Sequence, residues 1–222
     1  MSEDRPAASG RDGREARILR RLVETHGRTF AQEAGINLKD TPQPLYRLLV
    51  LAVLLSARIR GSVAVAAARE LAGAGLRDPR RMAAADWQER VDALGRGGYR
   101  RYDERTATQL GEGAELVTGR WGGDLRRLRR EAGGDVTALR ALLQEVPGLG
   151  PAGADIFLRE AQGVWPDLAP YLDAKALSGA ERLGLPAEPG LLAALAGGTD
   201  PAILAAALVR AALDKKVAES VR

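Results

Sequence analysis

The chain has no cysteine, one histidine, four lysines and only 4% aromatic residues among its 222 positions. The missing cysteine excludes disulfides, thiol nucleophiles, thiolate zinc sites and cysteine-ligated iron–sulfur clusters. With His26 alone, a multi-histidine metal site is excluded, and a Ser-His-Asp triad has only one place to stand. Long apolar runs are missing too. The longest, Leu48 to Ala57, is about half the ~20 residues that a membrane span needs, and it reads as a buried helix. The first residues, Met1-Ser-Glu-Asp-Arg, are polar with no apolar stretch behind them, so no export signal is expected and the protein is expected in the cytoplasm.

What is abundant is arginine. The net charge is +4, and nearly all the basic residues are arginine rather than lysine. Arginine holds phosphates through two parallel N–H bonds and does not lose its charge. The arginine excess fits nucleic-acid binding. It fits equally a composition rich in Ala, Gly and Arg for reasons unrelated to function.

No segment alternates apolar and polar residues at a period of two. Helical periodicity begins near Ile18, Leu19 and Leu22, after a tail expected over residues 1–13. Leu45, Leu48, Leu49, Ala52 and Leu55 define the next helix, and Val50, Leu51, Val53 and Leu54 make it apolar all round, as a central helix should be. Gly61-Ser62 is expected to cap a helix through Leu71, and Asp78-Pro79 to start another. Further helices are expected around residues 87–94, 102–117, 125–130, 136–143, 152–161, 174–183, 189–195 and 201–214. The reading is an all-α fold of about ten short helices over residues 14–222, in two lobes, with Gly95–Gly98 or Gly122-Gly123 as candidate junctions.

The informative stretch is Val146-Pro147-Gly148-Leu149-Gly150-Pro151-Ala152-Gly153-Ala154. It joins two helical patterns by a tight turn. Gly148 and Gly150 permit positive φ and close approach of a partner, Leu149 would pin the turn, and Pro151 suits the first helical position. The N–H groups exposed at the next helix start form a natural phosphate cradle. The same glycines would also serve an ordinary αα-hairpin with no partner.

These residues resemble the hairpin of the helix-hairpin-helix DNA glycosylases, the endonuclease III superfamily. Leu48 to Arg58 resembles that family's N-terminal core helix, and Gly98-Tyr99 with Arg105-Thr106-Ala107 its following turn and helix. Tyr171-Leu172-Asp173 stands where the family has its catalytic aspartate. The resemblance runs over residues 44–185. It implies a DNA glycosylase-like fold, duplex DNA as partner, action as a monomer, and a nucleoid-associated enzyme of base-excision repair. Asp173 would be catalytic, and Gly148, Leu149, Gly150, Ala152, Arg58 and Arg60 would contact DNA. No cofactor is implied beyond a monovalent cation at the hairpin carbonyls.

There are departures. Lyase-competent members carry a lysine where Ala152 stands, so the resemblance implies a monofunctional enzyme that hydrolyses the bond of a flipped base. Arg58 replaces a glutamine. The segment from hairpin to aspartate is about three residues longer than in the endonuclease III branch. The alternative is a DNA-binding module that has lost the chemistry.

Single residues carry paired readings. Asp173 precedes Ala174-Lys175-Ala176, so it is a candidate helix cap as well as a catalytic carboxylate. Lys175 is a candidate amine or a solvated helix residue. Tyr99 and Tyr171 are candidate pocket rings or core residues, as are Tyr102 and Trp165. Arg126-Arg127-Leu128-Arg129-Arg130 reads as a phosphate-tracking face or a solvated helix diluted by Asp124 and Glu131. His26 reads as a contact at a helix C-terminus.

Overall fold

The computed structural model describes residues 6–222, with side chains from Gly13 onward. Among the described residues it is all-helical, with fourteen α-helices and one 3-10 turn. They are α1 (Pro6–His26), α2 (Phe30–Glu33), α3 (Pro42–Ser56), α4 (Gly61–Gly73), α5 (Pro79–Ala84), α6 (Trp87–Arg96) and α7 (Asp103–Trp121). Then follow α8 (Leu125–Glu131), α9 (Val136–Gln144), α10 (Pro151–Ala161), the 3-10 turn Pro166–Leu168, α11 (Ala174–Leu183), α12 (Pro189–Leu195), α13 (Pro201–Leu213) and α14 (Lys215–Ser220). Of the expected tail, residues 1–5 lie outside the described residues, and 6–13 are the start of α1. The surplus over ten helices comes from short pieces such as α2 and α14, which are too brief to show a period.

The chain divides into two compact units. One is Phe30–Asp167; the other joins the chain up to Thr29 with Leu168–Arg222. The boundaries correct the expectation: Gly95–Gly98 and Gly122-Gly123 both lie inside the larger unit. There they serve turns. Gly98, Gly122 and Gly123 have φ of +80°, +62° and +80°. A Cβ on Gly97 would lie 2.4 Å from the Ala67 Cα, so this glycine lets the end of α6 reach α4.

The larger unit is built round α3, which packs on α4, α8 and α10. Its leucines and valines from Leu45 to Leu54 are buried on every side, each contributing about 1.5–3 kcal/mol by burial. The Arg90 guanidinium, 9% exposed, donates to the carbonyls of Met82, Ala85 and Ala107 at 2.7–2.9 Å and so ties α5, α6 and α7. Glu160 of α10, 5% exposed, accepts the N–H groups of Phe30 and Ala31 at 2.9 and 2.8 Å and caps α2 from a distant part of the chain.

The smaller unit packs α13 against α1, α11 and α14. A Cβ on Gly179 would fall 2.0 Å from the Leu208 carbonyl oxygen. Glycine and alanine there bring the backbones of α11 and α13 close. His26 ends α1, and its Nε2 lies 3.3 Å from the Ser220 hydroxyl.

Candidate nucleic-acid interface

The stretch from Val146 to Gly150 is the turn between α9 and α10. The Leu149 N–H donates to the Val146 carbonyl at 2.9 Å, and Gly148 has φ +84°. Proline second and a positive-φ glycine third make a type II turn. Leu149 is 2% exposed and pins the turn, and Pro151 opens α10. A bidentate ion pair holds the two flanking helices: Arg140 Nε lies 2.7 Å from Asp155 Oδ1, and Nη2 3.1 Å from Oδ2. The Ser56 hydroxyl, at the end of α3, lies 2.7 Å from the Val53 carbonyl oxygen and 3.3 Å from that of Gly148.

The three hairpin glycines do different work. Gly148 needs its positive φ, and a Cβ there would meet Gln109 Oε1 at 2.9 Å and Val53 Cγ1 at 3.2 Å. A Cβ on Gly153 would meet Leu149 Cδ1 at 2.8 Å. Gly150 has φ −75°, open to any residue, and a Cβ there meets nothing within 4 Å. Neither backbone nor packing asks for glycine at 150.

Gly150 is also the N-cap of α10 and supplies no side-chain acceptor. Eight other helices, α5, α6, α8, α9 and α11 to α14, start on an Asp or Glu whose carboxylate accepts a backbone N–H. Helix α4 begins on Arg60, again without a side-chain cap. This corrects the expectation that Gly61-Ser62 forms the cap: both are already inside the helix. Helices α3 and α7 likewise start without a side-chain cap, so unsatisfied N–H groups and a positive dipole end remain at α3, α4, α7 and α10.

An open cavity of about 650 Å³ adjoins the hairpin. Gly148, Leu149 and Gly150 line it together with Arg58, Tyr99, Tyr102, Arg105, Thr106 and Gln109. Tyr102 is the N-cap residue of α7, and Arg105, Thr106 and Gln109 follow on one face of that helix at i+3, i+4 and i+7 from it. Tyr99 is 1% exposed; burial pushes its phenol pKa up, and a hydrogen bond with Thr106 opposes that shift. Arg58, Arg60 and Arg105 are exposed, and no ion pair or hydrogen bond of their guanidinium groups is found among the described residues. Several arginines elsewhere are engaged. Arg126 lies 2.8 Å from Asp124, Arg120 bridges Glu131 and Glu145, and Arg129 pairs with Asp167. Arg126 holds the Asp124 carboxyl below its ordinary pKa by hydrogen bonding.

The other expected site residues are not among those that line this cavity. Ala152 is exposed in the first turn of α10, and Arg60 stands two residues beyond the cavity-lining Arg58. Asp173, Lys175 and Tyr171 belong to the smaller unit. There Asp173 Oδ1 accepts the Ala176 N–H at 3.1 Å and caps α11. Lys175 is exposed in the first turn of α11, and Tyr171 is half-buried. Trp165 is core: fully buried, 5.7 Å edge-on from Phe157, with its indole N–H donated to Asp40 at 2.9 Å. Sequence reasoning missed Gln109; its helical spacing from Tyr102 and Arg105 was the signal available.

For a cation at the hairpin, the Val146, Gly148 and Gly150 carbonyls are the candidate oxygens. Those of Val146 and Gly150 each accept an internal N–H bond, and that of Gly148 faces the Ser56 hydroxyl. Each keeps a second lone pair. Among the described residues no helix is long and apolar enough to cross a membrane, and no cluster of His, Asp or Glu is arranged to hold a metal ion.

No family model matches the chain, and no curated protein matches it. Among solved structures it is similar to a trapped endonuclease III–DNA covalent intermediate, an estranged-adenine complex. The identity is 17%, over 87% of this chain and 84% of that one, with a TM-score of 0.47.

Proposed function

We propose that the protein binds double-stranded DNA through the hairpin face and is a monofunctional DNA glycosylase acting in base-excision repair. The observation that carries the binding is the unengaged positive charge at this face. Exposed arginines without carboxylate partners lie beside a helix start that no side chain caps. A phosphate placed at Gly150 would accept the free N–H groups of α10, and the space where a Cβ would stand there is open. Arg58 and Arg105 would hold neighbouring phosphates, and Tyr99 and Tyr102 stand at the same cavity. A cation on the hairpin would use the second lone pairs of the carbonyls; the binding needs none.

The chemistry belongs to Asp173. Breaking a base–sugar bond builds positive charge on the sugar, and a carboxylate near C1′ stabilises it and orients the attacking water. Ala152 offers no amine, so no Schiff base forms there and the abasic product stays intact until alkali is added. The capping contact of Asp173 favours a second reading, a DNA-binding module without chemistry, because capping alone accounts for an aspartate at that position.

Two assays test this. Affinity for a plain duplex is measured against salt for the parent, Arg58→Ala and Arg105→Ala. The parent should lose affinity steeply, and each variant should lower the salt slope by about 0.9, the value for one phosphate contact. Single-lesion duplexes are then incubated with protein and treated with alkali. Cleavage at one lesion supports the enzyme; binding with no cleavage at any lesion supports the module. Salt-independent binding removes both.

A further inference from the structure

Helix α8 carries four arginines in five positions, 126, 127, 129 and 130, and an open cavity of about 790 Å³ lies against all of them. It is separate from the hairpin cavity. The four arginines fall into two pairs. Arg126 is fixed: its Nε and Nη2 lie 2.8–3.1 Å from the Asp124 carboxylate, which itself accepts the Arg126 N–H at 3.0 Å. Arg129 is fixed as well. It pairs with Asp167, and its guanidinium carbon lies 5.1 Å from the centre of the Trp165 ring. The remaining wall carboxylate, Asp40, accepts the Trp165 indole N–H at 2.9 Å and lies 3.9 Å from Arg129.

Arg127 and Arg130 are different. Both are exposed, and among the described residues neither guanidinium makes a hydrogen bond or ion pair. They stand one helical turn apart, where like charges repel by a few tenths of a kcal/mol. The wall carboxylates, held by Arg126, Arg129 and Trp165, relieve them only in part: Asp124 attracts Arg130 but forms no ion pair with it. An anion entering the cavity would relieve them further.

We infer that this cavity is a second phosphate-binding site. Arg127 and Arg130 grip the oxygens, and Arg126 and Arg129, held by their aspartates, form its wall. The chemistry recognised is a phosphate group, whether on a free oligophosphate or on a nucleic-acid backbone. The inference stands apart from the hairpin reading. The two cavities do share a scaffold: α9 runs from Val136, just after α8, to Gln144 at the hairpin. At 1.5 Å per residue that separates them by about 14 Å.

The test uses the full chain. Backbone amide spectra are followed as inorganic pyrophosphate is added, for the parent, Arg127→Ala/Arg130→Ala and, as a milder change, Arg130→Gln. Both side chains are exposed, and thermal melting checks that the variants remain folded. The parent should show saturable shifts confined to the cavity lining: residues 124–134, Asp40 and Asp167. The double variant should lose them, and Arg130→Gln should weaken binding several-fold. Duplex affinity against salt then names the source. A salt slope lowered by up to about 1.8 in the double variant assigns the site to DNA backbone. An unchanged slope with pyrophosphate binding lost assigns it to a free oligophosphate. No saturable shift in the parent, or equal pyrophosphate affinity in parent and double variant, overturns the inference.

Discussion

Helices α10 and α11 begin in opposite ways. α11 starts on Asp173, whose carboxylate accepts the Ala176 N–H. α10 starts on Gly150, with no side-chain acceptor and open space where a Cβ would be. An aspartate at a helix start has a complete internal explanation, because capping alone is worth about 1 kcal/mol. A glycine at a helix start with ordinary φ and no steric need has a weaker one, since glycine is a tolerated cap that supplies no acceptor. The contrast teaches that function is argued most strongly where the fold gives the least reason for the residue present. By that measure the hairpin carries the DNA-binding reading, and Asp173 needs an activity measurement before its second role can be credited.

The largest expected effect addresses the α11 side. Asp173→Asn keeps the cap, since asparagine and aspartate are comparable there. If Asp173 also acts on the sugar, single-turnover base release should fall about a hundredfold or more while melting and DNA affinity hold. Parental base release in Asp173→Asn would leave the residue a cap only. Next in size is a stability change inside the hairpin. Gly148→Ala places a side chain at φ +84° against Gln109 and Val53, and should cost about 1–2 kcal/mol from the left-handed backbone alone. Thermal melting reads it directly, and a neutral result would mean that the turn relaxes.

Asp173→Ala comes third. It removes the cap outright and should lower stability by about 1 kcal/mol, measured by denaturant midpoint. Smallest is Gly150→Ala. It should melt like the parent and bind duplex a few-fold more weakly, because the methyl group stands only in the path of a phosphate. A parental affinity would mean that the phosphate does not approach at Gly150.

The sequence showed the helical class and the central helix clearly. Leu48 to Leu54 is apolar on all sides, which marks a central helix. The hairpin was legible too, because a proline, two glycines and one leucine at fixed spacing leave the backbone few choices. The unit boundaries were not. They fall at Thr29 and Asp167, beside the single breakers Gly27 and Pro166, while the more conspicuous glycine groups are turns inside one unit. Neither Arg90 nor Glu160 announced itself, since each satisfies backbone groups far from it in sequence. Which arginines carry unengaged charge was equally hidden. The dense run 126–130 looked most basic, yet half of it is tied to aspartates. Arg58, expected to contact DNA, and Arg105, which stood in a less dense stretch, have no ion-pair partner among the described residues. Pairing is a property of three-dimensional neighbours, and composition cannot report it.

The central claim, that the start of α10 is held open for a phosphate, is tested most directly by Gly150→Asp. Aspartate is among the best N-caps and favours a helix start through the dipole. The substitution should therefore leave the melting temperature unchanged or raise it. It also puts a negative charge where the phosphate would sit, so duplex affinity should fall at least tenfold at low salt, with a shallower salt dependence. A variant that melts at or above the parent and binds duplex as tightly would contradict the claim.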